Sequence, residues 1–240
     1  TVLEEAKHDD KILALMLNLQ GLRSAGLSKL QEVGRALKQF KEESGKAIFV
    51  YGDYYSQAQY YLAAHADRVI LHPMGAIGMD GFGRYRMYYK SALEKLKINS
   101  HVFRVGTYKS AVEPYLRDDM SDAARVANEK WLGELWNMYK TDISQARNIE
   151  LANFDEKLDG FLEKFKAVNG NFAEFAKQND WVDDLMTHQE FDQFVNSEFG
   201  NGHKPKYVSM EQFLAYNHGP HHEAAKDKVA LVVARGTIYD

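Results

Sequence analysis

At 240 residues the chain is long enough for one large domain or a domain with an appendage, and its 45% hydrophobic and 12% aromatic content supports a sizeable core and excludes gross disorder. The net charge of −4 comes from acids and bases mixed along the chain with no basic block, which argues against a nucleic-acid partner. The absence of cysteine excludes disulfides, thiolate nucleophiles and cysteine metal sites, but leaves the compartment open.

The opening TVLEEAKHDD reads as the polar end of a helix, not as a signal peptide. No apolar run approaches the ~18–20 residues that a membrane helix needs. The continuous apolar run KILALMLNL, Lys11 to Leu19, reads as a strand buried on both faces, ended by Gly21. Ser28 to Glu43 has helical spacing, with Leu30, Val33, Leu37 and Phe40 on one side. Ser28 is the expected N-cap, and Gln31 completes a capping box. Ala47 to Tyr51 predicts a second strand, Ser56 to Ala64 a helix, and Arg68 to Leu71 a third strand. The glycine-rich HPMGAIGMDGFG follows as a loop. Tyr85 to Lys97 predicts a further helix and Ser100 to Val105 a further strand. Strands alternating with helices imply parallel βαβ units.

The character changes near Ser110. Asp122 to Asn148 reads as one long helix, and Asn153 to Phe199 as three or four shorter ones whose apolar content is largely Phe and Trp. Asn201 to His222 reads as a polar loop, and a strand pattern returns at KVALVV, Lys228 to Val233. A buried type of strand with so little after it, and a first residue that is not Met, lead us to expect a chain truncated at both ends.

Lys109, in HVFRVGTYKSAVEPYLRDD, is the first candidate for chemistry. It follows Val102, Phe103, Val105 and Tyr108, so its setting is half-apolar. Desolvation lowers a lysine pKa, and a neutral amine beside a serine hydroxyl can take its proton. The bland alternative is a surface lysine snorkelling from a strand end, and spacing alone favours it. His218, His221, His222 and Glu223 hold metal-ligating atoms, but their spacing matches no closed zinc site, and a solvated linker is the expectation. The glycines of GAIGMDGFG fit neither a P-loop nor a dinucleotide fingerprint and point to a tight turn. Ser56 is placed as a helix cap, not a nucleophile. Asp118, Asp119 and Asp122 suit a helix N-terminus.

The run FRVGTYKSAVEPYLRDDMS resembles the N-terminal half of the long form of signal peptide peptidase A, the protease IV family. YYSQAQYYLAAHADRVIL, YYKSALEKLKI and GELW agree with it, and the likeness runs from about Lys11 to Asp240. The resemblance implies an α/β fold of the ClpP/crotonase-like kind, built of repeated ββα units with a helical extension. It implies residues 1–120 as that domain without its first strand, 121–200 as the helical segment, 201–227 as a linker and 228–240 as the start of a C-terminal catalytic domain. It further implies a serine endopeptidase on the periplasmic face of the bacterial inner membrane, anchored by a helix absent from this chain. That enzyme degrades cleaved signal peptides and other extended apolar peptides, without cofactor or metal, as a homo-oligomer that the family likeness makes a tetramer. Its Ser–Lys dyad takes the lysine general base from the T-Y-K-S motif, here Lys109, and the serine from the C-terminal half. In the other half that serine opens an S-G-G-Y-type helix. Here Gln57-Ala58-Gln59-Tyr60 stands in its place, with Ser56 one residue out of register, about 100° around a helix. The chain by itself is therefore expected to be inactive. Two other readings share the fold: a crotonase-like acyl-CoA enzyme, and a non-catalytic scaffold domain of an oligomer.

Overall fold

The computed structural model describes residues 2–154, 158–200 and 204–218. The strand expected at 228–233, the second-domain start and His221, His222 and Glu223 lie outside the described residues. In chain order the structure holds α1 (Val2–His8), β1 (Ala14–Leu17), α2 (Leu27–Ser44), β2 (Ala47–Tyr55), α3 (Gln57–Ala63) and β3 (Arg68–Ile77). Then come α4 (Lys90–Lys95), α5 (Glu113–Leu116), α6 (Asp122–Arg147) and a 3-10 turn at Leu151–Phe154. The last elements are α7 (Leu158–Ala167), α8 (Phe172–Gln178), β4 (Asp184–Leu185), α9 (His188–Phe199) and α10 (Met210–Asn217).

The four strands form one parallel sheet in the order β1-β2-β3-β4, with Leu15 beside Ile48, Val50 beside Val69 and Ile70 beside Asp184. This is the α/β architecture that alternating strand and helix patterns predict. Ile48, Val50, Val69, Ile70 and Leu71 are all buried, including neighbours whose side chains point to opposite faces. Only a sheet covered on both sides asks for such unbroken apolar runs. Tyr55 also lies in this core, and its hydroxyl donates to the Ile70 carbonyl at 2.7 Å.

Helix α2 turns Leu30, Gly34, Leu37 and Phe40 inward and ends at Gly45, whose left-handed backbone donates its N–H to the Lys41 carbonyl. Two details of its start differ from expectation. The N-cap is Gly26, with no side-chain cap, and Ser28 falls inside the first turn. Gln31 reaches instead across to α6, donating to Asp142 at 2.9 Å. Val33 is exposed, because the inward stripe runs through Gly34 instead. Helix α3 begins as expected, with Ser56 and Gln59 forming a reciprocal capping box. Its buried Tyr60 and Tyr61 donate their hydroxyls to the Trp181 carbonyl and to Asp142, each at 2.7 Å. Burial pushes both phenols well above the usual tyrosine range.

Strand β4 was not legible in the sequence, since two residues carry no period. It exists because tertiary partners supply its pairing. The Asp183 carboxylate accepts from the Val69 N–H at 2.7 Å, the Arg147 guanidinium grips Asp183 at 2.8 and 2.9 Å, and Arg68 meets Asp184 at 2.6 Å. The helical segment thus contributes a short strand to the sheet of the α/β core. Helix α10 is a second addition, in a stretch expected to be loop. Ser209 and Gln212 make a capping box, and Phe213 is buried among core residues. Asn217 and His218 then reach Glu5 of α1.

Candidate active site

Lys109 lies on a lobe of residues 83–121 that leaves the core after β3 and returns at α6. Two elements expected here are absent or short. No strand forms over Ser100–Val105, and the expected helix over Tyr85–Lys97 contracts to α4. The reason is lack of partners. A strand needs a neighbour for its backbone groups and a helix this short needs a buried face. Here Phe103 is 98% exposed, Val105 85% and Tyr85 97%. The half-apolar setting of Lys109 is therefore an exposed one within this chain.

The lobe is held by polar contacts to backbone. Arg104 donates to the Lys109 carbonyl at 3.0 Å. Arg86 donates to the carbonyls of Ser110 and Ala111 at 3.2 and 3.1 Å. Pro114 accepts from the Tyr89 N–H at 2.7 Å, and Asp118 accepts from the N–H and hydroxyl of Ser91 at 2.9 and 2.6 Å. Glu113 is the anchor, a carboxylate only 1% exposed. It accepts from the Ser121 hydroxyl at 2.5 Å and N–H at 3.3 Å, and pairs with Arg104 at 3.7 Å. Burial opposes its ionisation, but the Ser121 hydrogen bonds and then Arg104 and Arg117 outweigh it, holding the carboxyl below the usual range. Sequence reading passed over Glu113; the acid–proline pair opening a short helix was its available signal.

The result is a lysine with a fixed backbone and a free head. The Lys109 side chain is exposed, and among the described residues its ammonium has no hydrogen bond and no ion pair. Ser110, its sequence neighbour, does not bond to it. Ser56 is occupied as a helix cap, its Oγ accepting from the Gln59 N–H at 3.4 Å. Gln57, in the place that the resemblance gives to a nucleophile, makes two hydrogen bonds to Gly81. The glycine loop is also engaged. Gly78 donates its N–H to the Tyr55 carbonyl at 2.8 Å and Gly81 to Gln57 at 2.7 Å, so these amides are not free to cradle an anion. Asp119 pairs with Arg117 at 2.9 Å, and Asp122 sits in the first turn of α6 behind the Ser121 cap. His218 pairs with Glu5 at 2.6 Å. Among the described residues no cluster of His, Asp and Glu is arranged to hold a metal ion, and no helix is long and apolar enough to cross a membrane.

A separate cleft of about 470 Å³ is lined by residues of α2, α3 and α6. Arg35, Lys38, Lys41 and Glu42 of α2 line it, with His65 and, from α6, Asp142. Burial pushes the His65 imidazole below the usual histidine range. No residue of the lobe contributes to it.

Comparison with known proteins places the chain among the peptidases. The profile of Peptidase family S49 matches residues 40–196, and the chain belongs to that family. Protease 4 of Haemophilus influenzae is 37% identical over 99% of this chain and 39% of its own length. Protease 4 of Salmonella typhi is 39% identical over 82% of this chain and 32% of its own. A chloroplastic serine protease SPPA of Arabidopsis thaliana is 26% identical over 68% of this chain and 24% of its own. The chain thus spans about two fifths or less of the relatives it matches. Among solved structures, an enoyl-CoA hydratase/isomerase from Marinobacter aquaeolei gives a TM-score of 0.36 at 14% identity, over 94% of this chain and 73% of that one. At that score the likeness carries no argument about fold or activity.

Proposed function

We propose that this chain is the lysine-bearing part of a membrane-bound serine endopeptidase that degrades cleaved signal peptides. Lys109 is its general base, and the serine nucleophile belongs to a part of the protein outside these residues. The observation that carries this reading is the contrast at Lys109, whose backbone is bolted down by Arg104 and whose ammonium is left exposed and unpaired. A lysine built only for solubility needs no such fixed backbone. Membership of a peptidase family, relatives named as proteases and the engagement of Ser56 and Gln57 elsewhere all support it.

Exposure in this chain is compatible with desolvation in the whole enzyme. The apolar surface around Lys109 is what a second domain would cover, and covering it would favour the neutral amine. The neutral amine takes the proton of the serine hydroxyl as its oxygen attacks the scissile carbonyl. The ammonium then returns the proton to the leaving amine, and water repeats the sequence on the acyl-enzyme. Substrates are extended apolar peptides. The protein works as a homo-oligomer on the periplasmic face of the inner membrane, without cofactor, metal or nucleic acid.

The test is hydrolysis of an apolar fluorogenic peptide by the intact protein, wild type against Lys109→Met, across pH. Loss of a general base predicts a fall of about a hundredfold or more with assembly unchanged. Equal activity with the same pH profile returns Lys109 to the role of a surface lysine. Peptide turnover by this chain alone, abolished by Ser56→Ala, would place the nucleophile here and overturn the assignment.

A further inference from the structure

Gln57 stands where the family resemblance would put a serine, and the structure gives it other work. Its amide meets both backbone groups of one residue: the Gly81 N–H donates to Gln57 Oε1 at 2.7 Å, and Gln57 Nε2 donates to the Gly81 carbonyl at 3.1 Å. A side chain so paired imitates a strand neighbour and fixes position and orientation together. Gly81 has φ +73° and open space where a Cβ would stand, so its glycine serves the backbone conformation, not packing.

Gly81 is where the chain leaves the core for the lobe. The next residue, Phe82, is edge-on to Trp136 and Tyr139 of α6, each with centroids 6.4 Å apart. Tyr139 is buried, stacks on Trp136 at 5.2 Å, and donates its hydroxyl to the Gln57 carbonyl at 2.8 Å. Helix α6 is also where the lobe returns, through the Ser121 cap that holds Glu113. Gln57 therefore touches the exit of the lobe directly, and touches the helix that follows the lobe at Tyr139, about 27 Å along α6 from the Ser121 cap. Its side chain holds the exit at Gly81, and its backbone holds the helix on which the return is built.

We infer that Gln57 is a positioning residue that fixes the root of the lobe carrying Lys109. The catalytic consequence rests on the reading of Lys109 as general base; the clamp itself does not. Gln57 touches no reacting group and acts only through the lobe.

The experiment uses the intact protein with Gln57→Ala and Gln57→Glu, read by hydrogen exchange over residues 78–90 and by peptide-hydrolysis kinetics. Loss of both hydrogen bonds in Gln57→Ala should speed exchange at Gly81 by about tenfold, with exchange in β2 and β3 unchanged. The carboxyl of Gln57→Glu keeps an acceptor for the Gly81 N–H at any pH, but it donates to the Gly81 carbonyl only when protonated and repels that oxygen when ionised, forcing the pair apart. Its exchange, relative to wild type at the same pH, should be fast at pH 8 and return toward wild type on acidification. In both variants kcat should fall with KM little changed. A purely structural role would not produce a protonation-dependent rescue confined to the root. Exchange equal to wild type in Gln57→Ala overturns the clamp. Fast exchange with unchanged kcat, in a protein that Lys109→Met inactivates, overturns the positioning role. If Lys109→Met stays active, the functional reading fails and the exchange arm alone decides whether Gln57 anchors the lobe.

Discussion

The sheet core and the Lys109 lobe are consecutive in sequence and opposite in construction. The core closes on itself: Ile48, Val69 and Leu71 have no contact with solvent. The lobe carries Phe103, Val105 and Tyr108 on its surface and is held by arginine forks on backbone carbonyls and one buried carboxylate. Apolar burial is nondirectional and rewards closure, whereas hydrogen bonds fix geometry without covering surface. A segment built in the second way is fixed in place while its apolar side chains stay exposed.

That contrast predicts effects of different size and reach. The largest should come from Leu71→Ala, which leaves a cavity in the closed core and should cost about 3 kcal/mol of global stability by chemical denaturation. A cost under 1 kcal/mol would mean the core is less tightly closed than its burial indicates. Glu113→Ala should cost about 2 kcal/mol through the unpaired Ser121 and Arg104 groups it leaves. Hydrogen exchange should locate that loss within residues 104–121, and an equal loss through β2 and β3 would dissolve the distinction between the regions.

The two regions should also separate by pH. The Glu113 carboxyl titrates lower in the folded chain than in the unfolded one. Its contribution is present above about pH 4.3 and is lost as pH falls through its lowered value. His65, on the core side, also titrates lower when folded, chiefly through burial. For a histidine this means the unfolded state binds the extra proton, so stability falls as pH drops below about 6.5. Denaturation from pH 7 to 5 should show that slope in the wild type and a flatter one in His65→Gln, which keeps a donor for the Tyr61 carbonyl. An unchanged slope would assign it to other groups. The smallest effect on stability should come from Phe103→Ser, within about 0.5 kcal/mol, because the ring is already in solvent. The same substitution should lower peptide hydrolysis by the intact protein if the lobe meets another domain there.

Much of the core was readable because its signal is local and repeated. Apolar runs of strand length and the capping box at Ser56 both report structure within a few residues. The lobe misled for the same reason: SHVFRV has strand composition but no neighbour to pair with, and RYRMYY lies beside helical spacing without a face to bury. Strand β4 and helix α10 hid because their stabilising partners are remote in sequence, Val69 and Arg147 for the one and the core around Phe213 for the other.

The candidate site divides along the same line. The TYKSAVEP motif singled out Lys109 and the family it belongs to, since a motif is a property of adjacent residues. Gln57, by contrast, read only as a missing serine. That its amide closes on Gly81, 24 residues away, and its carbonyl on Tyr139, 82 away, is information that adjacency does not carry. By itself the sequence determined the alternation of strands and helices and the family, and it singled out Lys109 as a candidate. Only the tertiary structure decided which buried groups are paired, which apolar residues stay outside and what holds the lysine in place, because those depend on contacts between residues distant along the chain.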